Sequence, residues 1–229
     1  MTSAQQLDFS KGSIFRHILR LAGPMTLAQL INVLYNIVDR IFVGQIGGEG
    51  SLALTGLGVC FPVITIVIAF TNLIGMGGAP LFSITRGAGD DEEAARILGN
   101  SFTLLLLFGV LLTAAGLAVK TPLLRALGAS DATLPYADAY LTVYLFGSVF
   151  VSLSLGLNSF INAQGFARTG MLTVAIGAVL NLILDPLFIM VFHMGVQGAA
   201  LATILSQAVS AAWTLRFLTG RKTLVRLSL

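Results

Sequence analysis

Four long stretches without a charged side chain constrain this sequence more than any other feature. Residues 50–85, 97–119, 139–167 and 186–215 contain no Asp, Glu, Lys or Arg. A hydrocarbon core about 30 Å thick needs about 20 apolar helical residues, so each stretch is long enough to cross a bilayer. With 56% hydrophobic and only 10% charged residues, the chain also lacks the surface of a soluble enzyme, since globular domains carry about 25% charge. The sequence predicts an integral membrane protein that is not an enzyme.

The predicted fold class is an all-α integral membrane protein with six transmembrane helices. Helices are favoured because a membrane strand needs only about 10 residues with strict alternation, and the apolar runs here are longer and do not alternate. The predicted spans form a transmembrane unit over residues 14–218 and cover 14–43, 52–81, 97–119, 135–162, 169–192 and 195–218. A polar segment, 1–13, precedes them, and a basic tail, 219–229, follows.

Positive charges are unequally divided between the two sides of these spans. Ten of the 13 Lys and Arg residues fall on the side that holds both termini. The positive-inside rule therefore predicts cytoplasmic termini for a multi-pass protein of the cell (inner or plasma) membrane. Because the basic residues are scattered and form no single patch, the lipid bilayer is an expected partner and nucleic acid is not.

Two carboxylates lie where a membrane span should exclude them. An ionisable group in hydrocarbon costs several kcal/mol, so Asp39 and Asp185 are candidate functional residues. Asn181 precedes Asp185 by four residues and shares its helix face. At 1.5 Å per residue, Asp39, Asp185 and Thr203 are each predicted to lie roughly 8 to 13 Å below the outer boundary. We therefore expect Asp39, Asp185 and Thr203, from three different helices, to share one level, with Asn181 one helical turn from Asp185.

The oxygen chemistry of these side chains indicates which ligand they would take. Carboxylate, amide and hydroxyl oxygens suit a proton or a hard monovalent cation such as Na⁺, and zinc would normally require His or Cys. No other cofactor is expected. The alternative is structural: Asp39 would pair with Arg40, and Asp185 would cap a helix that breaks before Pro186. Consecutive helical residues point about 100° apart, which makes the Asp39–Arg40 pair awkward.

The first span carries further polar residues at helical spacing. Gln29, Asn32, Asn36 and Asp39 recur at steps of three and four residues, so this stripe should turn away from lipid. It is expected either to form hydrogen bonds between helices or to line a polar cavity. Pro24 lies inside the same span and removes a backbone hydrogen bond, which predicts a kink or hinge.

Three segments resemble one transporter family. They are Pro24 followed by Asn-Ile-Val-Asp-Arg-Ile-Phe-Val-Gly at 36–44, Asn181 with Asp185–Pro186, and Gly-Ala-Ala-Leu-Ala-Thr at 198–203. Together they are similar to the amino-terminal lobe of multidrug and toxic compound extrusion (MATE) transporters. The resemblance implies two six-helix lobes that export cationic amphipathic drugs in exchange for inward H⁺ or Na⁺. It also implies a cation site at Asp39, Asn181, Asp185 and Thr203, with the first helix bending at Pro24.

The chain is about half as long as members of that family. A fragment of a full-length transporter, a split gene product, and a half-transporter that pairs with a second six-helix lobe are all compatible with this length. The predicted function is one lobe of a cation-coupled multidrug antiporter. The alternatives are a lipid-linked saccharide flippase, which would be expected to line its cleft with several arginines, and a non-transporting membrane subunit.

Overall fold

The computed structural model describes residues 14–227, apart from the side chains at positions 14, 16, 17 and 20. The predicted amino-terminal segment 1–13 and the last two residues of the predicted tail lie outside the described residues. A π-helical turn follows the fifth helix. The elements in chain order are α1 (Ile14–Gly44), α2 (Gly50–Gly87), α3 (Asp91–Ala126), α4 (Leu134–Ala163), α5 (Ala167–Pro186), the π-helical turn (Leu187–Val191) and α6 (Gly195–Leu218).

The six helices are all long and apolar enough to cross a membrane, which confirms the predicted fold class. Two of them extend beyond the predicted spans by more than a helical turn: 52–81 lies inside α2, and 97–119 lies inside α3. An α-helix can extend beyond the hydrocarbon core, and it ends where a capping residue satisfies its free backbone groups. At the start of α3, the Asp90 carboxylate accepts a hydrogen bond from the Glu93 backbone N–H at 2.9 Å. The charge-free runs therefore marked the apolar part of each helix, and the caps set its ends.

The fifth span departs from a regular helix near its end. The sequence predicted a span over 169–192, but the α-helix stops at Pro186 and continues as a π-helical turn. Proline has no N–H to donate, so the backbone pattern changes at this point. His193 and Gly195 both adopt positive φ, 52° and 57°, which reverses the chain into α6.

The centre of the bundle is α4, which packs against α2, α3 and α6. A close crossing brings α2 onto α4, because a Cβ built on Gly75 would lie only 2.8 Å from the Gly156 carbonyl oxygen. By contrast, α1 is the least buried span and packs mainly against α5. The first helix is therefore attached to the bundle largely through its contact with α5.

The described part of the predicted tail, residues 219–227, folds back onto the bundle. The Gln164 side-chain oxygen, between α4 and α5, accepts hydrogen bonds from Thr223 Oγ1 at 2.7 Å and from the backbone N–H groups of Leu224 and Val225 at 2.9 and 3.1 Å. Val225 and Leu227 are buried in the core cluster around Phe160. The chain that leaves α6 is thus fixed beside the α4–α5 connection.

Candidate functional site

The last turn of α5 holds a buried acid. Asp185 is fully buried, and Asn181, one turn earlier, is 2% exposed. The Asn181 amide Nδ2 donates to Asp185 Oδ1 at 3.1 Å and lies 3.5 Å from Thr203 Oγ1 on α6. The spacing of four residues along α5 therefore aligns the two side chains, and packing of α6 on α5 adds the hydroxyl.

Asp39 on α1 completes the group. Its carboxyl lies close to that of Asp185, because α1 packs along α5. We call Asp39, Asn181, Asp185 and Thr203 the carboxylate cluster. The structure brings together Asp39, Asp185 and Thr203, which the sequence had placed at one depth, with Asn181 beside them. Their binding role stays a prediction.

The carboxylate cluster has oxygen atoms without donors. Asp39 Oδ1, Asn181 Oδ1 and Asp185 Oδ2 are buried, and none of the described residues donates a hydrogen bond to them. Two facing carboxylates repel one another when both are ionised, and buried acceptors without partners are costly. A proton or a monovalent cation between the carboxyl groups would remove both penalties. The arrangement is suited to reversible uptake of one positive charge.

The structural alternative for Asp39 required a partner in Arg40. The ion pairs found among residues 14–227 include no Asp39–Arg40 pair. Instead, the Arg40 guanidinium lies over the Phe61 ring of α2, with its central carbon 5.9 Å from the ring centroid. Such an arrangement is a cation–π contact. Asp39 is directed towards α5 and Arg40 towards α2, as the 100° step between consecutive helical residues requires.

The donor set fits a hard cation. In the described part of the chain, no three His, Cys, Asp or Glu side chains gather as a metal-binding group. The carboxylate cluster offers two carboxylates, one amide oxygen and one hydroxyl. All are oxygen ligands, which Na⁺ prefers and zinc does not. If Na⁺ is the ion, these four side chains would hold it.

The predicted polar stripe on α1 is divided in the structure. Asn36 Nδ2 donates to the Asn32 backbone carbonyl at 2.7 Å and to Asn32 Oδ1 at 3.0 Å, so these two amides bond within their own helix. Asn32 lines a small cavity together with residues of α4, α5 and α6. Gln29 and Asn36 are exposed. Only part of the stripe therefore faces the bundle, and α1 runs through Pro24 as a continuous helix.

Three tyrosines near the carboxylate cluster were not singled out by the sequence analysis. Tyr140 and Tyr144 are buried on α4 with stacked rings, 6.2 Å between centroids. Tyr35 lies on α1, four residues before Asp39, and lines the same small cavity as Asn32. The spacing of four between Tyr140 and Tyr144 was a usable signal, because an aromatic with a polar tip repeated on one helix face indicates a buried polar wall.

Comparison with known proteins identifies the family. Residues 24–187 match the MatE family model, which is most of the chain and includes Asp39, Asn181 and Asp185. The chain belongs to the MatE family. This confirms the resemblance read from the sequence. Thr203 lies beyond the matched residues, and its place beside Asn181 comes from the structure.

The MatE relatives and solved structures that match this chain are about twice as long as the chain itself. The chain is 28% identical to the multidrug export protein MepA of Staphylococcus saprophyticus over 229 residues, covering 100% of this chain and 50% of that protein. It is 30% identical to MepA of Staphylococcus haemolyticus, covering 92% and 46%. A MOP superfamily transporter from Pyrococcus furiosus superposes with a TM-score of 0.90 and 31% identity, covering 100% and 50%. The chain spans about half the length of the relatives it matches.

Proposed function

We propose that this chain forms one six-helix lobe of a cation-coupled exporter of cationic amphipathic drugs, and that the carboxylate cluster takes up the coupling ion. The observation that carries the proposal is the pair of facing carboxyl groups, Asp39 and Asp185, on different helices with donor-free oxygens. Membership of a family whose relatives are multidrug export proteins supports the drug-export part. A second six-helix lobe, in the same product or in a partner chain, would complete the transporter.

Ion uptake would act through the packing of α1. Two like unit charges held about 4 Å apart repel by about 4 kcal/mol at an effective dielectric constant of 20, so two ionised carboxylates in the cluster would repel strongly. That repulsion acts across the α1–α5 contact, which is the main attachment of α1. Binding of H⁺ or Na⁺ removes it and favours a closer α1–α5 arrangement. The ion shifts the two states only by its differential affinity for them, so drug release belongs to the state that binds the ion more tightly.

The orientation and location follow from charge. We place the α1–α2 and α3–α4 connections outside the cell membrane and both termini in the cytoplasm, because ten of the 13 Lys and Arg residues lie on the terminal side. In this orientation the carboxylate cluster lies nearer the outer surface, from which the coupling ion enters down its gradient.

Transport by the complete native product in proteoliposomes tests the proposal. We expect Asp185→Asn to abolish drug efflux driven by an imposed pH or Na⁺ gradient while membrane insertion is retained. Asp131→Asn is the matched control, because its side chain is 88% exposed and lies far along the chain from the carboxylate cluster. Measuring drug efflux with a pH gradient alone and with a Na⁺ gradient alone identifies the coupling ion. Unchanged efflux in Asp185→Asn would refute the proposal.

A further inference from the structure

A second polar site lies between the last turns of α3, the first turns of α4 and the beginning of α6. A cavity of about 570 Å³ occurs there, within the range of roughly 300–1,000 Å³ that is typical of small-ligand sites. Its lining residues belong to α3, α4 and α6, whereas the acids of the carboxylate cluster lie on α1 and α5. The two sites are therefore separate.

Charges of both signs lie in the wall of this cavity. Lys120 Nζ donates to Asp138 Oδ2 at 2.6 Å and to Thr142 Oγ1 at 2.7 Å. Thr121 Oγ1 donates to the other Asp138 oxygen at 3.3 Å. An ammonium group has three donors and a carboxylate about four lone-pair sites, so both groups keep unused hydrogen-bonding capacity. The side chains of Lys120 and Asp138 are 23% and 34% exposed, which leaves each charge accessible from the cavity.

The position of the cavity in the bundle indicates what could reach it. Lys120 directly follows the charge-free run 97–119 and therefore marks the boundary of the hydrocarbon core. Leu134, Ala139 and Val143 give the cavity an apolar wall beside these charges. A molecule with a polar head at Lys120 and apolar chains beside these residues would match this lining.

We propose that this cavity binds the headgroup of a zwitterionic phospholipid with a primary ammonium, of the phosphatidylethanolamine class. The phosphate contacts the free N–H of Lys120, and the primary ammonium donates to the Asp138 carboxylate. A choline headgroup cannot donate hydrogen bonds from its quaternary nitrogen. A glycerol headgroup has no cation for Asp138. The Lys120–Asp138 pair therefore selects a headgroup that carries both a phosphate and a primary ammonium. This inference does not depend on the coupling mechanism.

Lipid retention by the complete native product tests this inference. The protein is equilibrated in mixed micelles that contain equal amounts of phosphatidylethanolamine and phosphatidylcholine, and bound lipid is counted by native mass spectrometry. We expect at least fivefold preferential retention of phosphatidylethanolamine, falling to no preference in Asp138→Asn. Arg125→Met is the matched control, because Arg125, in the last turn of α3, forms an exposed ion pair with Asp131 and does not line the cavity. This control should keep the preference.

A lipid series on the unsubstituted protein makes the test independent of variant folding. Adding one, two and three N-methyl groups to the headgroup removes donors one at a time, so retention should fall in steps. Equal retention across the series would overturn the inference. Stronger retention of phosphatidylglycerol than of phosphatidylethanolamine would also overturn it, because a lone positive charge would then explain binding. An Asp138→Asn protein that is less stable but equally selective would assign the ion pair a structural role only and would likewise overturn it.

Discussion

The carboxylate cluster and the Lys120–Asp138 pair both contain acids near a helix end. They differ in whether the carboxylate oxygens have hydrogen-bond donors. In the pair, an ammonium and two hydroxyl groups serve Asp138 and Lys120. In the cluster, two acids face each other, and one oxygen of each has no donor among residues 14–227. The Asp138 carboxylate is neutralised by Lys120 of the same lobe. The donor-free oxygens of Asp39 and Asp185 can instead bind and release a positive ion.

The largest expected effect tests whether the two acids of the cluster act as one unit. We expect Asp39→Asn and Asp185→Asn each to lower coupled efflux at least 100-fold, about 2.7 kcal/mol, and the double variant to lower it no further. Residues that hold a single ion between them lose the same function when either is removed. Initial efflux rates in proteoliposomes measure this. Additive losses would show that the acids work independently, and the control Asp131→Asn should leave the rate within threefold.

The next effect concerns stability and should have the opposite sign in the two regions. Lys120→Met leaves Asp138 without its ammonium partner, which we expect to lower the free energy of unfolding by about 1–3 kcal/mol, less than for a fully buried pair. Asp39→Asn removes a like-charge repulsion and is expected to leave stability unchanged or to raise it. Thermal unfolding in one detergent at neutral pH compares them. If Lys120→Met and Asp39→Asn lowered stability equally, the carboxylate cluster and the Lys120–Asp138 pair would not differ in this respect.

A smaller effect is expected at the amide of the cluster. Asn181→Ala removes the 3.1 Å hydrogen bond to Asp185 and one oxygen of the cluster. A hydrogen bond to a charged group contributes about 1.5–3 kcal/mol, so half-saturation should require about 10-fold more of the coupling ion. The ion dependence of the efflux rate measures the shift. Asn36→Ala, on the exposed side of α1, is the control, and a comparable shift there would contradict the assignment.

The smallest effect is expected at Thr203. Its hydroxyl lies 3.5 Å from Asn181 Nδ2, which is at the limit of a hydrogen bond. Thr203→Val keeps the shape of the side chain and should raise the half-saturating ion concentration only about threefold by the lower end of hydrogen-bond energies. An effect as large as that of Asp185→Asn would contradict this ranking of the four side chains.

The sequence predicted the residues of the carboxylate cluster but not the Lys120–Asp138 pair. Asn181 and Asp185 are four residues apart on one helix, so local geometry alone aligns them. Asp39 required an added assumption about depth, and the packing of α1 on α5 brought it to Asp185. The Lys120–Asp138 pair was not predicted, because the two residues belong to different helices and appeared in the sequence only as charges beside one connection.

The sequence by itself determined the six membrane helices and the presence of acids within them, since long apolar runs with few charges leave a chain few other folds. Tertiary structure alone decided which side of α1 faces the bundle, how the tail reaches Gln164, and which charges are paired. These outcomes depend on the rotation and contact of helices that are distant in sequence. Helical periodicity fixes which residues share a face, whereas the neighbour of that face is set by packing.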